Sequence, residues 1–521
     1  MRILASIFGV IVITTIIYFW GFTTQTKELE PLISHSGKKP VVLLLVDSLM
    51  DKPLMKTLQT NDVPALKFLI ENGYYEPEVI ASYPTMSVTI DSTILTGTYA
   101  DQHQLPGLVW FDQTEGRLVN YGSGKEEVYT QGVKQVIHDG LVNLNEKHLN
   151  KEVQTIYEAL SDRKLSSASI DGLVYRGDSV HRLQLPKAGT TFGFIQKNIE
   201  VKGPDLLSLG SLSKYNPQNS KHHHAWQKFG FNDQFSTYEL IYLMNNNSLP
   251  SFTLAYFPDN DKRVHKNGPS ETEGIIELDK RLQQLLNSFS TWEEAITKVT
   301  WIIYGDSGQA SIKKSRKNAA VDLTSLLSNY QICRLGKPVK ADDQICIAVN
   351  ERMAYIYLLG EEISYEEVAS QIRNDPRVGF VSWKENETNF VVNAKSNDQL
   401  LFYPNGNSKD PYDQQWTVDG DLSILDLSLG QRQNIIYNTY PDALARLNGA
   451  LHSHKGKFLI VDAKPGYEFK GERTPLHLGG AGHGSLHYDD SISTMIVAGE
   501  DSLPKFKRGK DFKDWILELT K

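Results

Sequence analysis

Hydrophobic positions along this chain gather into short unbroken runs. Val41 to Val46 (VVLLLV) is apolar throughout and ends at Asp47, the pattern of a strand buried on both faces of a parallel sheet. Ser251 to Phe257 (SFTLAYF), Thr300 to Tyr304 (TWIIY) and Lys457 to Val461 (KFLIV) repeat it, each ending close to acidic or glycine residues. Helix-patterned stretches lie between them, such as Val63 to Gly73 (VPALKFLIENG) with Gly73 as a stop. This alternation predicts an α/β fold with a doubly wound sheet and functional groups at the carboxyl ends of its strands.

Two regions depart from that rhythm. From Asp342 to Leu425 the segments MAYIYLL, EEVASQIRNDPRV, GFVSWKE and NFVVNA read as strand, helix, strand, strand. Residues 342–425 are therefore expected to form a small α+β cap inserted into a core of 41–341 and 426–521, with Pro404-Asn405-Gly406-Asn407 as a loop or turn. At the other end, Arg2 precedes an apolar run from Ile3 to Phe22, long enough to span a bilayer. A signal anchor over residues 1–22 is expected ahead of a cleaved signal peptide, because Thr23-Thr24-Gln25 offers no small-x-small cleavage site. Arg2 before the run, and a flank of Lys27, Glu28 and Glu30 without net positive charge, orient the body of the chain outside a cell membrane. Cleavage would make it secreted. Residues 23–40 read as a linker.

Composition narrows the function classes. The 521 residues carry a net charge of −8, which disfavours binding to long nucleic acid. Cys333 and Cys346 are the only cysteines. They make either one disulfide in an external compartment or two unpaired thiols, and are too few for a cysteine zinc site. His222-His223-His224 reads as a solvated loop, since three consecutive imidazoles do not converge on one ion.

The chemistry-bearing residues follow the predicted strands. Asp47 and Asp306 each follow a buried run. Asp259-Asn260-Asp261-Lys262-Arg263-Val264-His265 follows another, and Asp261 and His265, four apart, share one side of a helical turn. An Asp and a His presented together suit Zn²⁺. Gly479-Gly480-Ala481-Gly482-His483-Gly484 adds a histidine among glycines. Tyr83-Pro84-Thr85-Met86-Ser87, followed by Leu95-Thr96-Gly97-Thr98-Tyr99, is dense in hydroxyls. A hydroxyl at a helix N-terminus is either a cap or a nucleophile favoured by the helix dipole.

Asp47, then PTMS with LTGTY, DNDKRVH with KNGP, GDSGQ and GAGHG, occur in the order found in the alkaline phosphatase superfamily. The chain resembles its type I phosphodiesterase / nucleotide pyrophosphatase branch over about Val41 to Gly499. The resemblance implies an alkaline-phosphatase-like core, with a central, largely parallel sheet between helices, and two divalent ions. Asp261, His265 and His483 would hold one zinc; Asp47, Asp306 and the Ser87 oxygen would hold the other. Ser87 stands where the family has its nucleophilic threonine, and a phosphoryl-Ser87 would be released by water. Asp259, directly after Pro258, competes with Asp261; Asp261 is preferred because its spacing to His265 needs no inserted residue.

Three positions depart from the family. Ser307 replaces a histidine ligand of the second metal, which opens that site to Mn²⁺ or Mg²⁺ as well as Zn²⁺. Met86 stands where eukaryotic members carry lysine, and Leu108 falls near the phosphate-orienting asparagine. His487 is either a substrate contact, a partner of Asp489 or a loop residue, and His103 with Asp101 organises a turn. The expected activity is extracytoplasmic, metal-dependent hydrolysis of a small phosphodiester or pyrophosphate. Two further readings stay open: an envelope transferase of phospho-head-groups, and a degenerate non-catalytic binding protein.

Overall fold

The computed structural model describes residues 25–29, 37–185, 198–222, 225–396 and 398–521. The expected anchor at 1–22, His223 and His224 lie outside the described residues. No helix among the described residues is long and apolar enough to cross a membrane.

A seven-stranded, mostly parallel sheet organises the core. Its strands are β1 (Val41–Val46), β2 (Gly73–Ile80), β3 (Ser167–Ile170), β4 (Leu206–Ser208), β5 (Phe252–Phe257), β6 (Thr300–Gly305) and β14 (Ile492–Ala498), in the order β2-β14-β6-β1-β5-β3-β4. Only β14 runs against the others. Alternate residues of VVLLLV point to opposite faces, as strand geometry requires. Val41, Leu43 and Leu45 pack with Val88, Ile90 and Ile94 of α2 (Ser87–Thr96) and with Phe512 and Ile516 of α8 (Phe512–Leu519). Val42, Leu44 and Val46 pack with α1 (Pro64–Glu71), α3 (Asp233–Asn245) and α5 (Glu273–Leu286). Gly73 opens β2 rather than capping α1, which ends at Glu71 with Asn72 as its C-cap.

A second seven-stranded sheet is antiparallel throughout: β7 (Ile345–Asn350), β8 (Met353–Leu358), β9 (Val378–Glu385), β10 (Thr388–Val392), β11 (Leu400–Lys409), β12 (Gln415–Gly420) and β13 (Phe458–Ala463). The KFLIV run, expected in the parallel sheet, is β13 and lies between β8 and β9. An unbroken apolar run reports burial on both faces, and β13 is buried on both, so the run alone does not say which sheet it joins. One face of this sheet is covered by α6 (Tyr365–Arg373) through Val368 and Ile372. The other packs against Tyr83 and Tyr99, which flank α2, and against α7 (Ala443–Leu451). Pro404 to Asn407, expected as a connecting loop, is a register-shifting irregularity inside β11, with Asn405 at φ 67°. Cys333 and Cys346 form a disulfide.

Candidate active site

Three adjacent parallel strands end at the same level. Val46 is in register with Gly305 on one side and Phe257 on the other, so Asp47, Asp306 and the start of α4 (Asp259–Asn267) emerge side by side. Ser48, at φ 60°, turns the chain sharply after β1. Its amide donates to Asp306 Oδ1 (2.8 Å) and its hydroxyl to Asp261 Oδ1 (3.1 Å). A left-handed backbone at a non-glycine residue is strain held by its surroundings, and it clusters at functional sites.

Ser87 is the first residue of α2, and its Oγ donates to Asp306 Oδ2 (3.2 Å). Three other hydroxyls of this buried helix satisfy themselves on carbonyls one turn back, Ser92 on Val88, Thr93 on Thr89 and Thr96 on Ser92, while the Thr89 hydroxyl has no partner among the described residues. Ser87 has no such carbonyl, being at the helix start, and faces the cleft instead. Asp91, one turn below it, is fully buried; burial, then the charge of Asp306, pushes its carboxyl well above the usual range.

On the facing side, α4 presents Asp261 and His265 together, with His265 Nε2 3.1 Å from Asp261 Oδ1. His483 Nε2 lies 3.9 Å from the same oxygen. Asp259 points elsewhere: it accepts from Lys228 Nζ (2.9 Å) and from the Asp233 amide (3.0 Å). The glycines around His483 have steric reasons. A Cβ at Gly480 would sit 1.9 Å from the His265 carbonyl, and Gly484 has φ 108°.

The donor set suits divalent cations on three observations. His265 Nδ1 faces the Ala481 carbonyl (2.9 Å) and His483 Nδ1 the Thr85 carbonyl. A carbonyl only accepts, so each ring donates from Nδ1 and turns Nε2 toward the carboxylates, the orientation of a metal-binding imidazole. Three carboxylates crowd together in the interior: burial, then the charges of Asp261 and Asp306, push Asp47 well above its ordinary range. Finally, Asp47 Oδ1 and Ser307 Oγ are buried without a hydrogen-bond partner among the described residues. Ser307 lies where the resemblance implies a histidine ligand.

Several residues at the site carry no signal in the sequence. Gln309 Nε2 donates to Asp261 Oδ1 (2.6 Å) and Ser48 Oγ (2.8 Å), and Tyr256 donates to Asp47 Oδ2. Glu351 and His477 stand behind the histidines: with His265 they form a second group of metal-type side chains. Burial opposes its ionisation, yet His477, His483 and His265 hold the Glu351 carboxyl down at about 2. A glutamate in NERM and a histidine in TPLHLGG have no spacing that ties them to DNDKRVH. Other sequence candidates lie apart. His487 caps a short helix through the Asp489 amide (3.2 Å). His103 bonds Thr93 (3.2 Å) and the Leu105 amide (3.1 Å), and His222 stacks on Tyr238 (4.8 Å). Leu108, by contrast, lines the cavity that Ser87 faces, and gives its amide to Asn350 (2.8 Å).

The family model of type I phosphodiesterases / nucleotide pyrophosphatases matches residues 41–485. The chain belongs to this family. It is thereby a phosphoric ester hydrolase of the alkaline phosphatase superfamily. No curated protein matches the chain. Solved structures share its fold at low identity. Murine ectonucleotide pyrophosphatase / phosphodiesterase 5 is 12% identical, with a TM-score of 0.55 over 92% of this chain and 95% of that one. An inactive variant of that murine protein has been solved in complex with AMP, with a TM-score of 0.55 over 93% and 95% at 12% identity. Phosphonoacetate hydrolase from Sinorhizobium meliloti 1021, in complex with phosphonoacetate, is 13% identical with a TM-score of 0.54 over 93% and 96%.

Proposed function

We propose that this chain is a metal-dependent, extracytoplasmic hydrolase of phosphoric diesters that carry an apolar ester group, acting through Ser87. The observation that carries the reading is where Ser87 points. With Asp261, His265 and His483 it lines one cavity of about 680 Å³, whose remaining wall includes Leu108, Val136, Leu141, Leu173, Leu212 and Phe231. A charged phosphate thus meets the polar end, while an alkyl or isoprenoid-like group finds apolar surface worth about 0.8 kcal/mol per buried methylene.

Divalent ions on Asp261/His265/His483 and on Asp47/Asp306/Ser87 would supply the charge that makes Ser87 acidic and neutralises the phosphate. Zinc suits the first set; zinc, manganese or magnesium suits the oxygen-rich second. Ser87 Oγ attacks phosphorus, the P–O bond to the alcohol breaks, and the alcohol leaves with a proton. Asp306 Oδ2, 3.2 Å away, orients the Ser87 hydroxyl for this step. The amino end of α2 favours the negative charge that develops there. Water then attacks the phosphoryl-Ser87 in line and restores the serine. The Cys333–Cys346 disulfide supports an oxidising compartment, and the apolar run at 3–22 is read as the membrane anchor.

The test is a series of p-nitrophenyl alkyl phosphodiesters of increasing chain length, assayed after metal reconstitution. The account expects kcat/KM to rise with chain length and activity to vanish on chelation. Cleavage of a nucleoside phosphodiester in preference to every alkyl ester would overturn the apolar substrate class. Turnover unaffected by chelators would overturn the metal.

A further inference from the structure

We propose that Glu351 is a fourth protein ligand of the ion held by Asp261, His265 and His483, aimed by His477 and Glu468. The assignment rests on the metal reading above and goes beyond the three ligands that the family resemblance implies.

Glu351 sits at the tip of the β7–β8 hairpin at φ 55°, in a left-handed conformation that a non-glycine residue adopts only when its surroundings impose it. Its Oε1 lies 3.7 Å from His265 Nε2 and 3.9 Å from His483 Nε2. Those are the two nitrogens that the carbonyl contacts of Ala481 and Thr85 turn toward the carboxylates. Asp261 Oδ1 faces the same pair at 3.1 and 3.9 Å. Around tetrahedral zinc, with bonds of about 2.0–2.2 Å, neighbouring ligand atoms are separated by about 3.3–3.6 Å. The Asp261 spacings fall on both sides of that value, and the Glu351 spacings lie just beyond it.

The other Glu351 oxygen is held in place. Oε2 accepts from the His483 amide (3.1 Å) and lies 3.7 Å from His477 Nδ1. His477 Nδ1 is 3.2 Å from Oε2 of the fully buried Glu468, which also accepts the His477 amide at Oε1 (2.8 Å). The His477 ring stacks on His265, centroid to centroid 4.1 Å. His265, Glu351 and His477 do not make a separate second site. His265 Nε2 would have to serve both ions, and His477 Nδ1 faces Glu468. His477 is therefore a positioning residue, and Glu351 the ligand.

The two halves of the centre then differ in opposite directions. Asp47, Ser87 and Asp306 offer three oxygens and Ser307 in place of histidine, while the facing half has four protein donors. With Glu351 as a ligand, the first ion would be closed by four protein donors, and the Asp47/Ser87/Asp306 half would be the more open to a phosphate oxygen.

Zinc-stripped full chain is titrated with Zn²⁺ against a chromophoric chelator, then with Co²⁺ while the visible d–d bands are recorded. In Glu351→Gln, zinc affinity at the tighter site is expected to fall by more than about 100-fold, with altered Co²⁺ bands. His477→Gln, which removes only an outer-shell partner, is expected to lose about 10- to 100-fold and keep the wild-type band positions. Near-UV circular dichroism of both variants in chelator checks the fold independently of the metal. Wild-type affinity and spectrum in a folded Glu351→Gln would overturn the assignment and leave the proposed function standing. A wild-type chain that takes up no ion would overturn both.

Discussion

Replacing Arg352 with Met tests how the second sheet supports the active site. Arg352 and Asp490 are both 0% exposed, with Nε to Oδ2 at 2.8 Å. The Arg352 guanidinium also reaches the Ala463 carbonyl (3.1 Å), its amide donates to the His483 carbonyl (3.0 Å), and Asp490 accepts from the Ser485 amide (2.8 Å). One ion pair thus ties the β7–β8 turn to the segment carrying His483. Removing one partner of a buried pair leaves an uncompensated charge, at a cost of about 3–5 kcal/mol. Unfolding roughly 480 residues at about 2.1 cal/mol/K each gives an entropy near 1 kcal/mol/K, so Tm should fall by about 3–5 °C. The loss should depend on pH. Burial pushes Asp490 up to about 6 even with Arg352 opposing it. Without Arg352 the folded-state value rises further above the unfolded one. A raised carboxyl destabilises as pH climbs from its unfolded value to its folded one, so the deficit of the variant should open above about pH 6 and be smallest at pH 5. Differential scanning calorimetry of R352M and R352M/D490N at pH 5 and 8 reads this directly. A Tm at pH 8 within 1 °C of wild type, or no recovery when Asp490 is neutralised, would refute the reasoning.

The remaining predictions are simpler. Asp261→Asn should lower bound metal in elemental analysis, whereas Asp259→Asn, which touches Lys228 and Asp233, should keep the metal and shift only Tm. Equal loss in both would reject the choice between them. Cys333→Ser with Cys346→Ser opens a loop with a sequence separation of 13 and should cost about 3 kcal/mol of stability in denaturant unfolding. Leu141→Arg places a charge in the apolar wall of the cavity; it should depress kcat/KM for long-chain alkyl esters more than for the methyl ester, and an equal loss for both would argue against the wall as a substrate contact.

The carboxyl-end logic was readable because each motif follows a continuous apolar run: VVLLLV before Asp47, TWIIY before Asp306, SFTLAYF before the Asp261 helix. Register then brings these ends together, so local pattern and tertiary placement agree. KFLIV broke the rule because the same apolar signature arises wherever a strand is covered on both faces, and α6 and α7 cover the second sheet as fully as helices cover the first. Glu351 was hidden for a different reason. A hairpin tip is usually polar, and neither its left-handed backbone nor its approach to His265 leaves a trace in the order of residues. Gln309 stands inside the GDSGQ motif, but nothing in that motif ties it to Asp261, which its amide reaches only through the fold.

The central claim is that Ser87 carries the phosphoryl group. Acid-quenched, metal-loaded enzyme mixed with a p-nitrophenyl phosphodiester should show, by peptide mass spectrometry, a phosphoryl adduct on Ser87 that forms with the burst of nitrophenol, and Ser87→Ala should show neither adduct nor turnover. Full turnover in Ser87→Ala, or an adduct on another residue, would contradict the account.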